Sequence, residues 1–173
     1  MTTTVTAPTV WALIAARAAA TPDAIFLIDE HDQTLTFAQY AHAVERAAAG
    51  LAVLGIGPGS RVAWQLPTWI ETATLLGGLA RVGATQVPLL PTLRETELEF
   101  CLRESACSVL VVPGRWRGFD YGALAARVSE RLPALTVLQH EHHLPDADPS
   151  VLGPAPSCGD EHRWLYYSSG TTG

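Results

Sequence analysis

The stretch "CSVLVVPGRWRGFDYGALAARVSERLPALTVLQ", residues 107–139, decides the fold. It opens on an apolar strand with no polar alternation, the pattern of a strand buried on both faces in a parallel sheet. Residues 120–132 then read as a helix, and residues 134–139 as another short strand. A buried strand, a helix and a second strand in succession make the unit from which parallel sheets are built.

Working outward, the same alternation starts near residue 61. "RVAWQL" reads as a strand, residues 69–82 as a helix stopped by Gly83, and "ATQVPLLP" as a strand ending in prolines. Thr92 and Glu95 have capping-box spacing and predict a helix to about Glu104. Towards the N-terminus, Thr9 caps a helix over residues 10–20, two short strands flank the turn Glu30-His31-Asp32, and Thr36 with Gln39 makes a capping box. The next helix carries Phe37, Tyr40, Ala41, Val44, Ala47, Ala48 and Leu51 on one face, and Gly55 stops it. The fold class expected is α/β, a mostly parallel sheet flanked by helices. Residues 1–8 read as a flexible leader, 9–139 as the α/β region, and 140–162 as a surface connection rich in His, Asp, Pro, Ser and Gly. Residues 163–173 read as a last strand, "RWLYY", followed by "SSGTTG".

Composition narrows the function. The 173 residues are 48% hydrophobic and 16% charged, a globular balance. The net charge of -6 leaves no broad basic face for nucleic acid or an anionic membrane. No apolar run is long enough to span a bilayer; the longest carries Arg81. The start lacks the basic and apolar regions of a signal peptide, and Cys101, Cys107 and Cys158 fit no zinc spacing, so a cytoplasmic protein with reduced thiols is expected. All eleven basic residues are arginine. A step that needs a lysine cannot run on these residues alone.

Several features carry chemistry, each beside a plainer reading. In "SSGTTG" the glycines let successive N–H groups converge and the hydroxyls add donors, which suits phosphate oxygens, yet small polar tails are common. The strand ahead of the loop favours a ligand role, because α/β sheets bind ligands at the carboxyl ends of their strands. His140, His142 and His143, with Asp146 and Asp148 nearby, could ligate a metal, but a solvated loop explains them as well. Cys101 and Cys107 read as core packing, Trp64 and Trp69 as core aromatics near a possible pocket, and Glu71 and Arg94 as helix-end or surface charges.

"YYSSGTTG" resembles the first part of the signature of adenylate-forming enzymes, an aromatic residue, Thr or Ser, Ser-Gly-Thr-Thr-Gly, then a residue and Pro-Lys-Gly. Ser168 stands where Thr is common. "TLTFAQYAHAVERAAAGLAVLGIGPGSRVAWQLPTWIE" resembles the opening block of the family, with Ser60 for the usual Asp, and "LLGGLARVGATQVPLLP" resembles its second block. The strings "PTLRETELEF" and "RGFDY" are most similar to acyl-CoA synthetases of the cyclohexanecarboxylate and short- to medium-chain fatty-acid type.

The resemblance implies a two-step ligase in which a small carboxylic acid attacks ATP to give an acyl-adenylate and pyrophosphate, and coenzyme A then displaces AMP. It assigns phosphate binding, with Mg2+, to Ser168, Ser169, Gly170, Thr171, Thr172 and Gly173. The family's Pro-Lys-Gly, its adenine, ribose and Mg2+ ligands and its catalytic lysine are not in these residues. The chain is therefore expected to be the N-terminal part of such an enzyme, inactive by itself, with no catalytic residue of its own and no metal site. Two other readings stay open: a non-catalytic remnant or partner-dependent module, and another adenylating enzyme such as an aryl-CoA ligase or a peptide-synthetase adenylation domain.

Overall fold

The computed structural model describes residues 6–140 and 143–168, which form two compact units. One unit takes residues 1–59, 68–84 and 143–161; the other takes 60–67, 85–142 and 162–173.

The first unit is mainly helical. Helix α1 (Val10–Ala20) opens on Thr9, whose hydroxyl oxygen accepts the Ala12 N–H at 3.1 Å. Strands β1 (Ile25–Ile28) and β2 (Thr34–Thr36) pair antiparallel. Asp29 shapes the turn between them by accepting the N–H groups of His31 and Gln33, both at 2.8 Å. Helix α2 (Phe37–Val53) starts with the expected reciprocal box: Gln39 N–H donates to the Thr36 hydroxyl and Thr36 N–H to the Gln39 side chain. Helix α3 (Ile70–Val82) ends at Gly83, whose φ of 76° only glycine adopts at no cost.

Helices α2 and α3 pack closely because α3 has no side chain at the contact. A Cβ on Gly77 would lie 2.5 Å from Val44 Cγ2, and Gly78 faces Ala47, Ala48 and Leu51. The buried Tyr40 hydroxyl donates to the Ala73 carbonyl of α3 at 2.7 Å. Burial pushes that phenol up to about 12, so it stays a donor at any ordinary pH. Of the apolar face expected for α2, Tyr40, Val44, Ala47, Ala48 and Leu51 lie in the core, while Phe37 and Ala41 are half-buried.

Residues 143–161 have loop composition, yet they are seated along α2. Arg46 pairs with Asp146, and Ala147 N–H donates to the Arg46 carbonyl at 3.2 Å. Pro145 passes so near Gly50 that a Cβ there would lie 2.2 Å from the Pro145 carbonyl carbon. Asp148 caps a single 3-10 turn at Pro149–Val151, and Arg81 donates to the Gly153 carbonyl at 3.1 Å.

The second unit holds the sheet. Its elements are β3 (Arg61–Trp64), β4 (Thr85–Pro88), α4 (Glu95–Glu104), β5 (Val109–Val112), β6 (Arg115–Trp116), β7 (Phe119–Asp120), α5 (Tyr121–Arg131) and β8 (Thr136–Gln139). Strands β4-β3-β5-β8 form one parallel sheet in that order. The uninterrupted apolar strand β5 lies inside it with all four residues buried, as its lack of alternation predicts. Leu98, Cys101 and Leu102 of α4 and Leu124, Ala125 and Val128 of α5 form one core with Leu110 and Val112 of β5. The α/β class, a parallel sheet flanked by helices, is what the structure has.

Two local details differ from expectation. Helix α4 opens two residues after the predicted box: Arg94 N–H donates to the Glu97 carboxylate at 3.2 Å, and Thr92 takes no part. Leu93 N–H is already committed to the Leu90 carbonyl at 3.1 Å, so residues 90–93 close as a turn before the helix begins. Strands β6 and β7 form a small hairpin whose corner residues, Arg117 and Gly118, have φ of 47° and 77°. Positive φ at both corner positions marks the tight turn that fits the natural strand twist.

Helices α4 and α5 also share a charge cluster. Arg131 reaches both Glu95 and Glu99, Arg127 lies 2.8 Å from Glu95, and Arg103 lies 2.8 Å from Glu99. Hydrogen bonds from these arginines, Arg131 first for Glu95 and Arg103 first for Glu99, hold both carboxyls below their ordinary 4.5. A carboxyl depressed in the folded state stabilises above its unfolded value and loses that contribution as pH falls through the folded value. Stability is therefore expected to drop as pH is lowered below the ordinary carboxylate range, and to drop less in Glu99→Gln. Urea midpoints at pH 7 and pH 3.5, at low and high salt, check this. The pairs are exposed, so the effect is small and salt-sensitive.

Candidate functional site

The site is built at the edge of β4. Arg163 carbonyl accepts Gln86 N–H at 2.8 Å, and Leu165 N–H donates to the Gln86 carbonyl at 2.9 Å. Trp164 thereby bridges Gln86 in parallel, and the Thr85 hydroxyl donates to the His162 carbonyl at 3.1 Å. The last strand expected from the sequence is thus one parallel bridge beside β4. Ser168 then emerges at the carboxyl end of the sheet, the place where α/β sheets gather ligands.

Tyr167 fixes that departure point. Its hydroxyl donates to the Cys101 carbonyl at 2.9 Å. The same carbonyl takes the Ser105 N–H at 3.0 Å and the Ser105 hydroxyl at 2.5 Å. Burial raises the Tyr167 phenol, which keeps it a donor. The other face of the segment carries Trp164 stacked on Tyr166, ring centroids 5.8 Å apart. Tyr166 is 73% exposed, the most exposed large apolar side chain among the described residues.

A cavity of about 440 Å3 opens beside Tyr167 and Ser168. Leu90, Leu93 and Phe100 supply its apolar wall, with Glu97 at its rim. Its size falls in the range of small-molecule sites. Neither Trp64 nor Trp69 lines it.

The wall at residues 89–94 is held by side chains from three directions. Gln65, fully buried where β3 ends, donates its amide to the Leu90 and Leu93 carbonyls at 2.9 and 3.0 Å. Tyr121 of α5 donates to the Pro91 carbonyl at 3.0 Å. Arg94 donates to Pro91 and Leu93 carbonyls at 2.8 and 3.0 Å while its guanidinium lies 4.0 Å from the Phe119 ring centroid. Gln65 is not a stability residue on balance. Two neutral hydrogen bonds contribute about 1 kcal/mol each, and a buried acceptor without a partner costs about 1–3. Its Oε1 is such an acceptor among the described residues.

Of the predicted phosphate ligands, Ser168 is placed here and exposed. Ser169, Gly170, Thr171, Thr172 and Gly173 lie outside the described residues. His140 is not on a surface connection: it is buried, and its N–H donates to the Val112 carbonyl at 2.8 Å. Glu141 and His142 lie outside the described residues, and among the described residues no three His, Cys, Asp or Glu side chains gather as a metal group. Cys101 is buried in the α4 core with Cys107 packed against it, as expected, and burial raises both thiols away from reactive thiolate. Sequence reasoning passed over Gln65, because its partners stand 25 and 28 residues away.

Comparison with known proteins meets the same region. A medium-chain fatty-acid–CoA ligase of Escherichia coli is 29% identical over 168 residues, 90% of this chain and 30% of the relative. A salicyl-AMP ligase / salicyl-S-ArCP synthetase of Mycobacterium tuberculosis is 37% identical over 132 residues, 74% of this chain and 22% of that protein. The inhibitor-bound N-terminal domain of FACL13 from Mycobacterium tuberculosis superposes with a TM-score of 0.76 and 26% identity, over 96% of this chain and 42% of that one. The chain thus spans under a third of the length of these curated relatives. No described helix is long and apolar enough to cross a membrane. From residue 14 to residue 173, through the sheet and out to the serine, glycine and threonine loop, the sequence matches the model of the AMP-binding enzymes, and the chain belongs to that family.

Proposed function

We propose that this chain carries the phosphate-gripping part of an ATP-dependent acid–thiol ligase. The observation that carries the reading is the emergence of Ser168 at the carboxyl end of the sheet, anchored by the bond from Tyr167 to Cys101. In this reading a small carboxylic acid of the fatty-acid type attacks ATP, pyrophosphate leaves, and coenzyme A takes the acyl group from AMP. Mg2+ would neutralise phosphate charge. The hydroxyls of Ser168, Ser169, Thr171 and Thr172 and the N–H groups at Gly170 and Gly173 would grip the departing oxygens, where preorganised donors count most. The described part of that donor set fits: Ser168 is an exposed hydroxyl at the strand end. The division into an α/β region and a terminal strand with its phosphate loop belongs to this reading, as does a cytoplasmic setting.

An aryl acid is the second reading. The 37% identity to the salicyl-AMP ligase favours it, against the longer match to the medium-chain ligase. Whichever acid applies, these 173 residues hold no lysine, and the ligase is expected to need polypeptide beyond them. The test is acid-dependent exchange of labelled pyrophosphate into ATP by the protein isolated at its natural length from its source cells. Exchange with medium-chain fatty acids is expected, and none from the 173-residue chain alone. Exchange by the short chain, or no exchange with any fatty or aryl acid at natural length, overturns the proposal.

A further inference from the structure

We propose that Gln65 is a positioning residue, which sets the 89–94 wall against Tyr167 and Ser168 and thereby fixes where the phosphate loop begins. The inference rests on the ligase reading for its catalytic consequence but not for its structural one. The turn at 90–93 has one backbone bond of its own, Leu93 N–H to the Leu90 carbonyl; Pro91 has no N–H to add another, so further support of its carbonyls comes from side chains. Gln65 supplies two donors from a rigid base, its backbone N–H being bonded to the Val111 carbonyl at 2.9 Å inside the sheet. Leu90 and Leu93, the two residues whose carbonyls it holds, line the cavity that Tyr167 and Ser168 close on the other side. The residue leaves Oε1 buried without a described partner. A side chain kept for packing alone would be Leu or Met. The amide is therefore explained by what it orders.

Gln65→Met fills similar volume and removes both donors. In the natural-length protein it is expected to keep or raise the urea midpoint. Hydrogen exchange in the peptide over residues 88–97 is expected to quicken about tenfold, the effect of one or two lost hydrogen bonds. The rate of pyrophosphate exchange is expected to fall about tenfold, with the KM for the acid unchanged, because a displaced loop loses charge stabilisation and not acid binding. Tyr121→Phe removes the neighbouring bond to Pro91 and is expected to quicken the same peptide, and its effect should couple to that of Gln65→Asn instead of adding. A folded Gln65→Met protein with unaltered protection at residues 88–97 overturns the proposal. Should Gln65→Met not fold, additive or absent effects of Tyr121→Phe and Gln65→Asn overturn it. Quickened exchange in a protein that shows no acid-dependent activity refutes the ligase reading and leaves the clamp standing.

Discussion

Gly50→Ala is expected to destabilise the protein by about 3 kcal/mol, at the upper end of what overpacking costs. The added Cβ would stand 2.2 Å from the Pro145 carbonyl carbon, 2.3 Å from the Asp146 nitrogen and 2.5 Å from the Pro145 oxygen. All three are backbone atoms. No rotamer change relieves them, so the 143–161 segment must lift from α2 or the helix must deform. Lifting it also strains the Arg46–Asp146 pair and the Ala147 bond to Arg46. Two controls separate this from other glycine effects. Gly55→Ala meets nothing within 4 Å and costs only the strain of its φ of 78°, about 1 kcal/mol. Asp146→Ala removes an exposed ion pair, which contributes at most about 1 kcal/mol. Urea unfolding of the three variants, with limited proteolysis of the 143–161 segment, decides it. A Gly50→Ala loss no larger than that of Gly55→Ala contradicts the close approach.

The contrast between Gly50 and the helix caps shows what was legible. Thr9, Thr36 with Gln39, Gly55 and Gly83 act within their own few residues, so the sequence alone places α1, α2 and the end of α3. The buried strand β5 was legible for the same reason, since a run of four apolar residues carries its own burial pattern. Gly50 stands inside α2, and only the approach of Pro145, 95 positions on in the chain, gives it a purpose. Gln65 was equally hidden. The β6–β7 hairpin had a local signal in Gly118, but strands of two residues are too short to show an alternation. Helix α4 was placed two residues early because Thr92 has capping chemistry, but the turn at 90–93 had already taken the backbone. Of the candidate site, its location at a strand's carboxyl end was legible from the order of elements. The wall that faces it was not, because it is held by Gln65, just past β3, and by Tyr121 of α5, each 25 or more positions from the carbonyls it bonds.

Ser169→Ala should lower the pyrophosphate-exchange rate of the natural-length protein by about 10²–10³, the usual effect of deleting one preorganised donor to a developing oxyanion. The residue itself lies outside the described segment, so the expectation follows from its position one step after Ser168. Tyr167 is tied to Cys101 at 2.9 Å, which fixes the point from which the loop starts. In the ligase reading a preorganised donor contributes in the transition state, where charge gathers on the leaving phosphates, more than in the ground state. The rate should therefore fall with little change in the KM for ATP. In the 173-residue chain the same substitution should alter nothing measurable in ATP binding, because one hydroxyl without the rest of a nucleotide cage binds too weakly to register. Tyr167→Phe tests the anchor. It removes only the hydroxyl and should lower the exchange rate by less than Ser169→Ala. A rate unaffected by Ser169→Ala, in a protein whose exchange activity is otherwise intact, would show that the hydroxyl of that residue does not hold the pyrophosphate. The converging N–H groups of the glycines would then be left as the donors that do.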